Sequence, residues 1–222
     1  MLFLRLNPEY WLISIILKRI LKDFGLESLL RFLTIVEYRL YWFLVEASKT
    51  RQMPDLNLEA AIELGHAHLL SSLYKQISSN EFIALGLNPT IEIIDKKNGD
   101  KNRVRYVRGE TATIKPVQRF LGCDCVGLND ANLLAMYGTL ESSLSCLYQA
   151  LYEITNEARF KSLSIEENGQ AKQFSQELPF WLRLKWKIRK VLAWIYFLLN
   201  KEYTKSKIEK YISLCLLSKT VK

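Results

Sequence analysis

The sequence predicts an all-α protein built on a four-helix bundle, with a long crossover that contains a small β-hairpin and with extra N- and C-terminal helices. Three observations support this fold. Apolar residues recur at helical spacing over four long stretches. Two short breaks join these stretches into two pairs, as in antiparallel helical hairpins. Between the two pairs the helical period is lost.

The first half of the chain predicts two bundle helices preceded by an extra one. Residues 10–24 have apolar positions at helical spacing, and Gly25 is a suitable end for that helix. The next predicted helix covers residues 26–49, and Asn57 is a good cap for a helix at about 57–79. Because the connection is short, we expect these two bundle helices to be antiparallel neighbours.

The crossover is predicted over residues 80–128. Within it, Ile91 to Ile94 and Val104 to Val107 flank the dipeptide Asn98-Gly99, which favours a tight turn. This arrangement predicts a hairpin of two short strands.

The second half of the chain repeats the helical pattern. Residues 129–154 and 161–178 are the third and fourth predicted bundle helices, and Pro179 stops the fourth. Residues 180–222 are rich in basic and aromatic side chains and are predicted to form further helices.

Polar residues with donor side chains follow a matched pattern in the two predicted hairpins. Six residues make up its two copies: Glu37, Glu63 and His66 in the first, and Glu141, Glu167 and Gln170 in the second. In each copy the two glutamates are 26 residues apart, and the third residue follows the second glutamate by three positions. Residues at i and i+3 lie on one face of a helix, so each copy presents paired donors. The spacing indicates an internal repeat.

The first glutamate of each copy lies in a strongly apolar stretch. Burying a carboxylate there is costly unless a metal, a proton or a partner neutralises it. In the alternative interpretation, Glu37 and Glu141 lie on a narrow solvated stripe or pair with an arginine such as Arg39 or Arg159. The matched spacing favours a shared site.

Two parts of the chain, residues 31–79 and 129–180, resemble the ferritin-like di-iron carboxylate superfamily, in particular its rubrerythrin and small-substrate hydroxylase branches. The segment Ala61-Ile-Glu63-Leu-Gly-His66-Ala is similar to the family's second-helix motif. The segment Ile165-Glu-Glu167-Asn-Gly-Gln170-Ala is similar to its fourth-helix motif, with Gln170 in place of histidine. The resemblance implies a single ferritin-like domain over residues 1–222.

That resemblance also implies a ligand set and a chemistry. It assigns Glu37, Glu63 and His66 to one metal ion and Glu141 and Glu167, with Gln170, to the other. The metals would be iron or manganese, and the reaction an oxygen-dependent oxidation or hydroxylation of a small, lipophilic substrate. A neutral amide is a weak ligand for iron, so Gln170 predicts a looser or empty second site. The alternative is a metal-poor, non-enzymatic binding protein or membrane-associated scaffold.

The remaining histidine and two of the cysteines are not predicted to bind metal. His68 is two positions from His66, about 200° round the helix, and is expected at the surface or in packing. Cys123 and Cys125 lack a second pair of ligands and make a poor zinc site. The four cysteines show no disulfide framework, which favours a reducing, cytoplasmic location.

Positive charge is concentrated in the C-terminal tail. The chain has a net charge of +8, whereas Arg183 to Lys222 holds eleven basic and two acidic residues. Basic residues among tryptophans are typical of a helix at an anionic membrane surface. The alternative, which the sequence slightly favours, is a helix that docks on the bundle with its basic face in water. No nucleic-acid motif is present, and a homo-oligomer is compatible with the sequence.

Overall fold

The computed structural model describes residues 8–51, 53, 55–84, 93–94, 104–105, 130–176, 178–213 and 215–217. These residues are mainly helical, which confirms the predicted helical character of the chain. The six helices among them are α1 (Pro8–Arg51), α2 (Leu56–Ser78), α3 (Asp130–Thr155), α4 (Ala158–Gln176), α5 (Phe180–Leu199) and α6 (Lys201–Ile212). No helix within these ranges is long and apolar enough to cross a membrane.

Short strands complete the described elements. They are β1 (Phe82–Ala84), β2 (Ile93–Ile94), β3 (Val104–Arg105) and β4 (Cys215–Leu217). By its internal contacts the chain divides into two compact units. The first unit consists of residues 1–23 and 118–205, and the second of residues 24–117 and 206–222.

Helix α1 is interrupted at Gly25, where the sequence predicts a helix end. Gly25 has φ 75° and ψ 170°, a conformation that glycine adopts and that residues with a Cβ rarely do. The long helix therefore consists of two helical segments on either side of this residue, close to the predicted 10–24 and 26–49.

We expect Gly25→Ala to lower the free energy of unfolding by about 1–3 kcal/mol, because alanine is strained at this φ. No atom lies within 4 Å of the added Cβ, so the loss comes from the backbone alone. Gly65→Ala is the matched control: Gly65 is helical and exposed, and its added Cβ also meets open space. Gly65→Ala should raise the free energy of unfolding by about 0.5–1 kcal/mol. Urea denaturation of both variants measures their free energies of unfolding. A Gly25→Ala variant as stable as the parent would contradict the prediction.

The second unit contains a helical hairpin. The chain turns between α1 and α2 through backbone hydrogen bonds from Met53 N–H to the Ser48 carbonyl (3.2 Å) and from Leu56 N–H to the Met53 carbonyl (3.1 Å). Helix α2 thus begins at Leu56, without a side-chain hydrogen bond from a cap residue. Asn57 therefore lies inside the helix, and its prediction as the cap is wrong because this turn starts the helix earlier.

Two strand pairs also belong to this unit. Strand β1 pairs antiparallel with β4, with Phe82 opposite Leu217 and Ala84 opposite Cys215. The tail was predicted to be helical to its end, which is wrong for β4, because these residues satisfy their backbone groups on β1 instead. Strands β2 and β3 are also antiparallel. The Asn98-Gly99 turn lies outside the described residues, as do Cys123 and Cys125, so the complete hairpin stays a prediction.

The first unit is centred on the antiparallel hairpin of α3 and α4. Asn156 ends α3 in the left-handed conformation, with φ 57°, and α4 starts at Ala158, earlier than predicted. Near one end of the contact, a Cβ on Gly138 would lie 2.9 Å from Phe174 Cβ, so the glycine allows the helices to approach closely. About two turns closer to the connection, Ser145 Oγ donates to the Ser164 carbonyl (2.8 Å) and Ser164 Oγ to the Ser145 carbonyl (2.9 Å). These contacts fix the register of the hairpin.

A buried polar cluster joins three helices of this unit. Glu9 of α1 is 1% exposed and forms a 2.5 Å ion pair with Lys190 Nζ of α5. Ser143 Oγ of α3 donates to the same carboxylate at 2.6 Å, and Trp194 Nε1 of α5 donates to it at 3.0 Å. Helix α5 is therefore attached to the unit by its inner face. This attachment agrees with docking of the basic segment through one face of α5.

Candidate metal centre

Three of the predicted ligands meet in the second unit. Glu37 of α1 and Glu63 and His66 of α2 are all buried, with exposures of 0%, 0% and 3%. Each offers one ligand atom, and these atoms lie within 4.8 Å of one another. The structure thus contains a buried group of glutamate and histidine side chains that could hold a metal ion.

The distances within the group suit ligands of one ion. His66 Nδ1 lies 3.7 Å from Glu63 Oε2, which is too long for a hydrogen bond. Bonds of about 2.0–2.2 Å from a metal to nitrogen or oxygen place two ligand atoms about 3–4.4 Å apart. The ligand atoms, which lie within 4.8 Å of one another, are therefore already close to the distances that one bound ion requires. Small side-chain movements would bring them to those distances. Imidazole with carboxylates suits a divalent transition metal such as iron or manganese.

Local helix geometry positions these donors. Glu63 and His66 are separated by three positions, so they project from one face of α2 about one turn apart. Between them, Gly65 is exposed and faces away. The antiparallel return of the chain after Arg51 brings α2 back along α1. The ring of Tyr38, next to Glu37, contacts that of His68 edge-on, with centroids 6.1 Å apart.

The second copy of the pattern lies in the first unit. Glu141 of α3 and Glu167 of α4 have an exposure of 0%, and Gln170 has 7%. Glu141 lies between the Gly138 and Ser145 contacts on α3, and Glu167 follows Ser164 by one turn on α4. Because the hairpin is antiparallel, this register puts the two carboxylates at the same level. Glu141, Glu167 and Gln170 are thus presented by one helical pair, as their counterparts are.

Buried residues recur along the chain at the same interval as the two copies of the candidate ligands. Residues 104 positions apart are buried in both copies, beyond the six candidate ligands. They include the pairs Leu33 and Tyr137, Leu40 and Leu144, Leu44 and Tyr148, Leu56 and Phe160, and Ala67 and Ala171. Helices α1 and α3 also end 104 positions apart, at Arg51 and Thr155. The internal repeat inferred from spacing therefore extends to the packing of both hairpins.

The solvated-stripe interpretation of the two leading glutamates is wrong. Glu37 and Glu141 are completely buried rather than exposed on a stripe. Arg159, named as a possible partner, binds Glu157 with 2.8 Å between Nε and Oε1. This hydrogen-bonded ion pair lowers the pKa of Glu157 and raises that of Arg159.

Two side chains beside the group have distinct environments. His68 is exposed and packs on Tyr38, which confirms that it is a surface and packing residue. Partial burial raises the pKa of the Tyr38 hydroxyl.

One buried carboxylate near the group was missed by sequence reasoning. Glu59 is 5% exposed and precedes Glu63 by four positions, so it lies on the same face of α2. Its counterpart 104 positions later is Leu163, and a search for repeated donors therefore passes over it. The available signal was the i, i+4 spacing to Glu63 on a helix with a buried face.

Comparisons with known proteins add no relative: no family model, no curated protein and no solved structure matches the chain. The candidate site therefore stands on its own residues and their geometry.

Proposed function

We propose that this protein is a metal-dependent oxidoreductase that oxidises a small substrate with dioxygen at a centre of iron or manganese. The observation that carries the proposal is the buried group of Glu37, Glu63 and His66, with ligand atoms within 4.8 Å of one another. Two carboxylates and one imidazole supply charge and nitrogen ligation suited to such ions. A buried site also keeps bulk water from the metal.

The second copy supplies the remaining ligands in this proposal. Glu141 and Glu167 match Glu37 and Glu63 in spacing, helix position and burial. Their burial requires neutralisation, and a metal ion is one way to provide it. Together the two copies would complete the ligand set of a di-metal carboxylate bundle, as the ferritin-like resemblance implies.

The residues of the chain would hold and tune the ions. When bound, a pair of iron or manganese ions supplies the electrons that activate dioxygen. The carboxylates balance the charge of the ions, and the helical pairs fix the donors on rigid elements rather than on loops.

A second function is favoured by one observation. Gln170 occupies the position that corresponds to His66 and is buried, so the second copy offers a neutral amide where the first offers an imidazole. A weaker ligand there favours a protein that binds little metal and serves as a binding or scaffold protein of the same fold.

Metal content separates the two functions. We expect protein purified without chelators, or reconstituted anaerobically with ferrous iron, to retain bound metal by elemental analysis. His66→Ala should lose most of it, because removing a ligand costs metal affinity directly. His68→Ala is the matched control, since it removes an exposed histidine from the same helix. Equal metal content in the two variants, with both folded by circular dichroism, would reject the site, and a metal-free parent would favour the scaffold.

A further inference from the structure

Helix α5 has two faces with opposite environments. Its inner face is buried through Trp186, Lys190 and Trp194, at successive intervals of four residues. Its outer face exposes large apolar side chains to solvent, with exposures from 38% to 75%. These side chains, named here the outer stripe, are Trp181, Leu184, Ile188, Leu192, Ile195 and Leu199.

The outer stripe is continuous. Its members are spaced by three or four positions from Trp181 to Leu199, so they line one side of the helix. A 20-residue helix is about 30 Å long, and the stripe runs along nearly all of it. Scattered apolar residues are normal on a protein surface, whereas a contiguous exposed patch of this size marks an interaction site.

The inner contacts prevent the helix from turning this stripe inward. Lys190 is held by Glu9, and Trp194 donates to the same carboxylate. Near the start of the helix, Trp186 Nε1 lies 3.4 Å from Asn132 Oδ1 of α3. Rotating α5 to bury the stripe would break these contacts and expose a buried ion pair. The outer stripe is therefore a fixed feature of this unit.

Charge identifies the kind of surface that the stripe fits. Helix α5 carries five basic residues and no acidic residue: Arg183, Lys185, Lys187, Arg189 and Lys190. Lys190 is neutralised by Glu9. Lys185 and Lys187 are exposed on the helix that carries the stripe, and Lys185 Nζ also donates to Asn132 Oδ1 of α3 at 3.4 Å. Helix α6 adds the exposed Lys201 and Lys205. A second copy docked on this face would bring like charges together, which disfavours self-association.

We propose that the outer stripe docks on an anionic lipid surface, with α5 lying in the plane of the interface. Apolar side chains with tryptophan would enter the boundary between headgroups and acyl chains, and the lysines would contact anionic headgroups. This arrangement uses a face that the inner contacts leave exposed. It is independent of whether the candidate metal centre is loaded.

Vesicle sedimentation of the full-length protein tests this proposal. We expect binding to vesicles of phosphatidylcholine with phosphatidylglycerol, little binding to phosphatidylcholine alone, and release as sodium chloride screens the charges. The affinity of the variant Ile188→Glu/Leu192→Glu for anionic vesicles should fall by at least about tenfold, because the substitutions place carboxylates in the stripe. Lys187→Gln/Lys201→Gln removes two exposed lysines and should weaken binding about tenfold while leaving the stripe intact.

The matched control is Leu58→Glu/Ile165→Glu. Leu58 and Ile165 are 68% and 60% exposed and lie outside α5, so this variant has the same change in charge and apolar surface. It should sediment like the parent. Equal binding to neutral and anionic vesicles, no binding to either, or a stripe variant that binds like the parent would overturn the proposal. A parent dimer in light scattering that only the stripe variant dissociates, without vesicle binding, would identify a second copy as the occupant instead.

Discussion

Lys190→Met is expected to lower the free energy of unfolding by about 3–5 kcal/mol, because it leaves the carboxylate of Glu9 buried without its ammonium partner. The ion pair is 2.5 Å long, and both side chains are less than 10% exposed. Methionine keeps most of the volume of the lysine stem, so the loss is mainly electrostatic. Chemical denaturation of the full-length protein measures it.

Two comparisons separate charge from packing in that experiment. Lys187→Met removes an exposed lysine from the same helix and should change stability by less than about 0.5 kcal/mol. Adding Glu9→Gln to Lys190→Met removes the buried charge while keeping an oxygen that can accept from Ser143 and Trp194. The double variant should be more stable than Lys190→Met alone. If Lys190→Met and Lys187→Met have equal effects, the ion pair does not hold α5 in place.

Local sequence signals were sufficient for the helices. Helix α2 was predicted at 57–79 and spans Leu56–Ser78, since apolar period and turn residues are properties of neighbouring positions. Strand β4 could not be found this way. Its pairing with β1 joins segments more than a hundred residues apart, and such pairing leaves no period in either segment. Three apolar residues at the end of a helical tail look like more helix.

Contacts between side chains that are far apart in the sequence also leave no local pattern, as the buried ion pair shows. Glu9 and Lys190 are 181 positions apart. Glu9 is a single charge in an apolar stretch and Lys190 is one of five basic residues on α5, so in the sequence each resembles a surface charge. Sequence identified the tail as basic and aromatic, which led to docking or membrane binding as alternatives. In the structure Trp186, Lys190 and Trp194 of α5 are buried against the unit, and the outer stripe of the same helix is exposed.

The candidate ligands were predictable because helix geometry is local. The interval of three between Glu63 and His66 fixes a common face, and the repeat links that pair to Glu37. Burial of all six predicted residues agrees with their selection from the repeat. Glu59 was passed over since no repeated partner points to it. Which ions the residues bind, and how tightly, depends on donor strength rather than spacing, and Gln170 is the position where donor strength differs between the copies.

Gln170→His is expected to raise bound iron towards two ions per chain. In the proposed centre, five of six ligands are carboxylate or imidazole, and the sixth is the amide of Gln170. Imidazole is the stronger ligand for iron, so the substitution gives the second copy the donor set of the first. The residue is 7% exposed, and the two side chains are similar in size, so the hairpin of α3 and α4 should accept the change.

Iron content after anaerobic reconstitution measures the effect, together with the near-ultraviolet absorption of an oxo-bridged iron pair after exposure to air. Gln173→His is the matched control, since Gln173 is exposed one turn further along α4 and gains the same imidazole. Its iron content should equal that of the parent. If Gln170→His folds normally and stays as metal-poor as the parent, the second copy has lost metal binding at more than this one residue. The scaffold function would then account better for the buried carboxylates than an enzyme would.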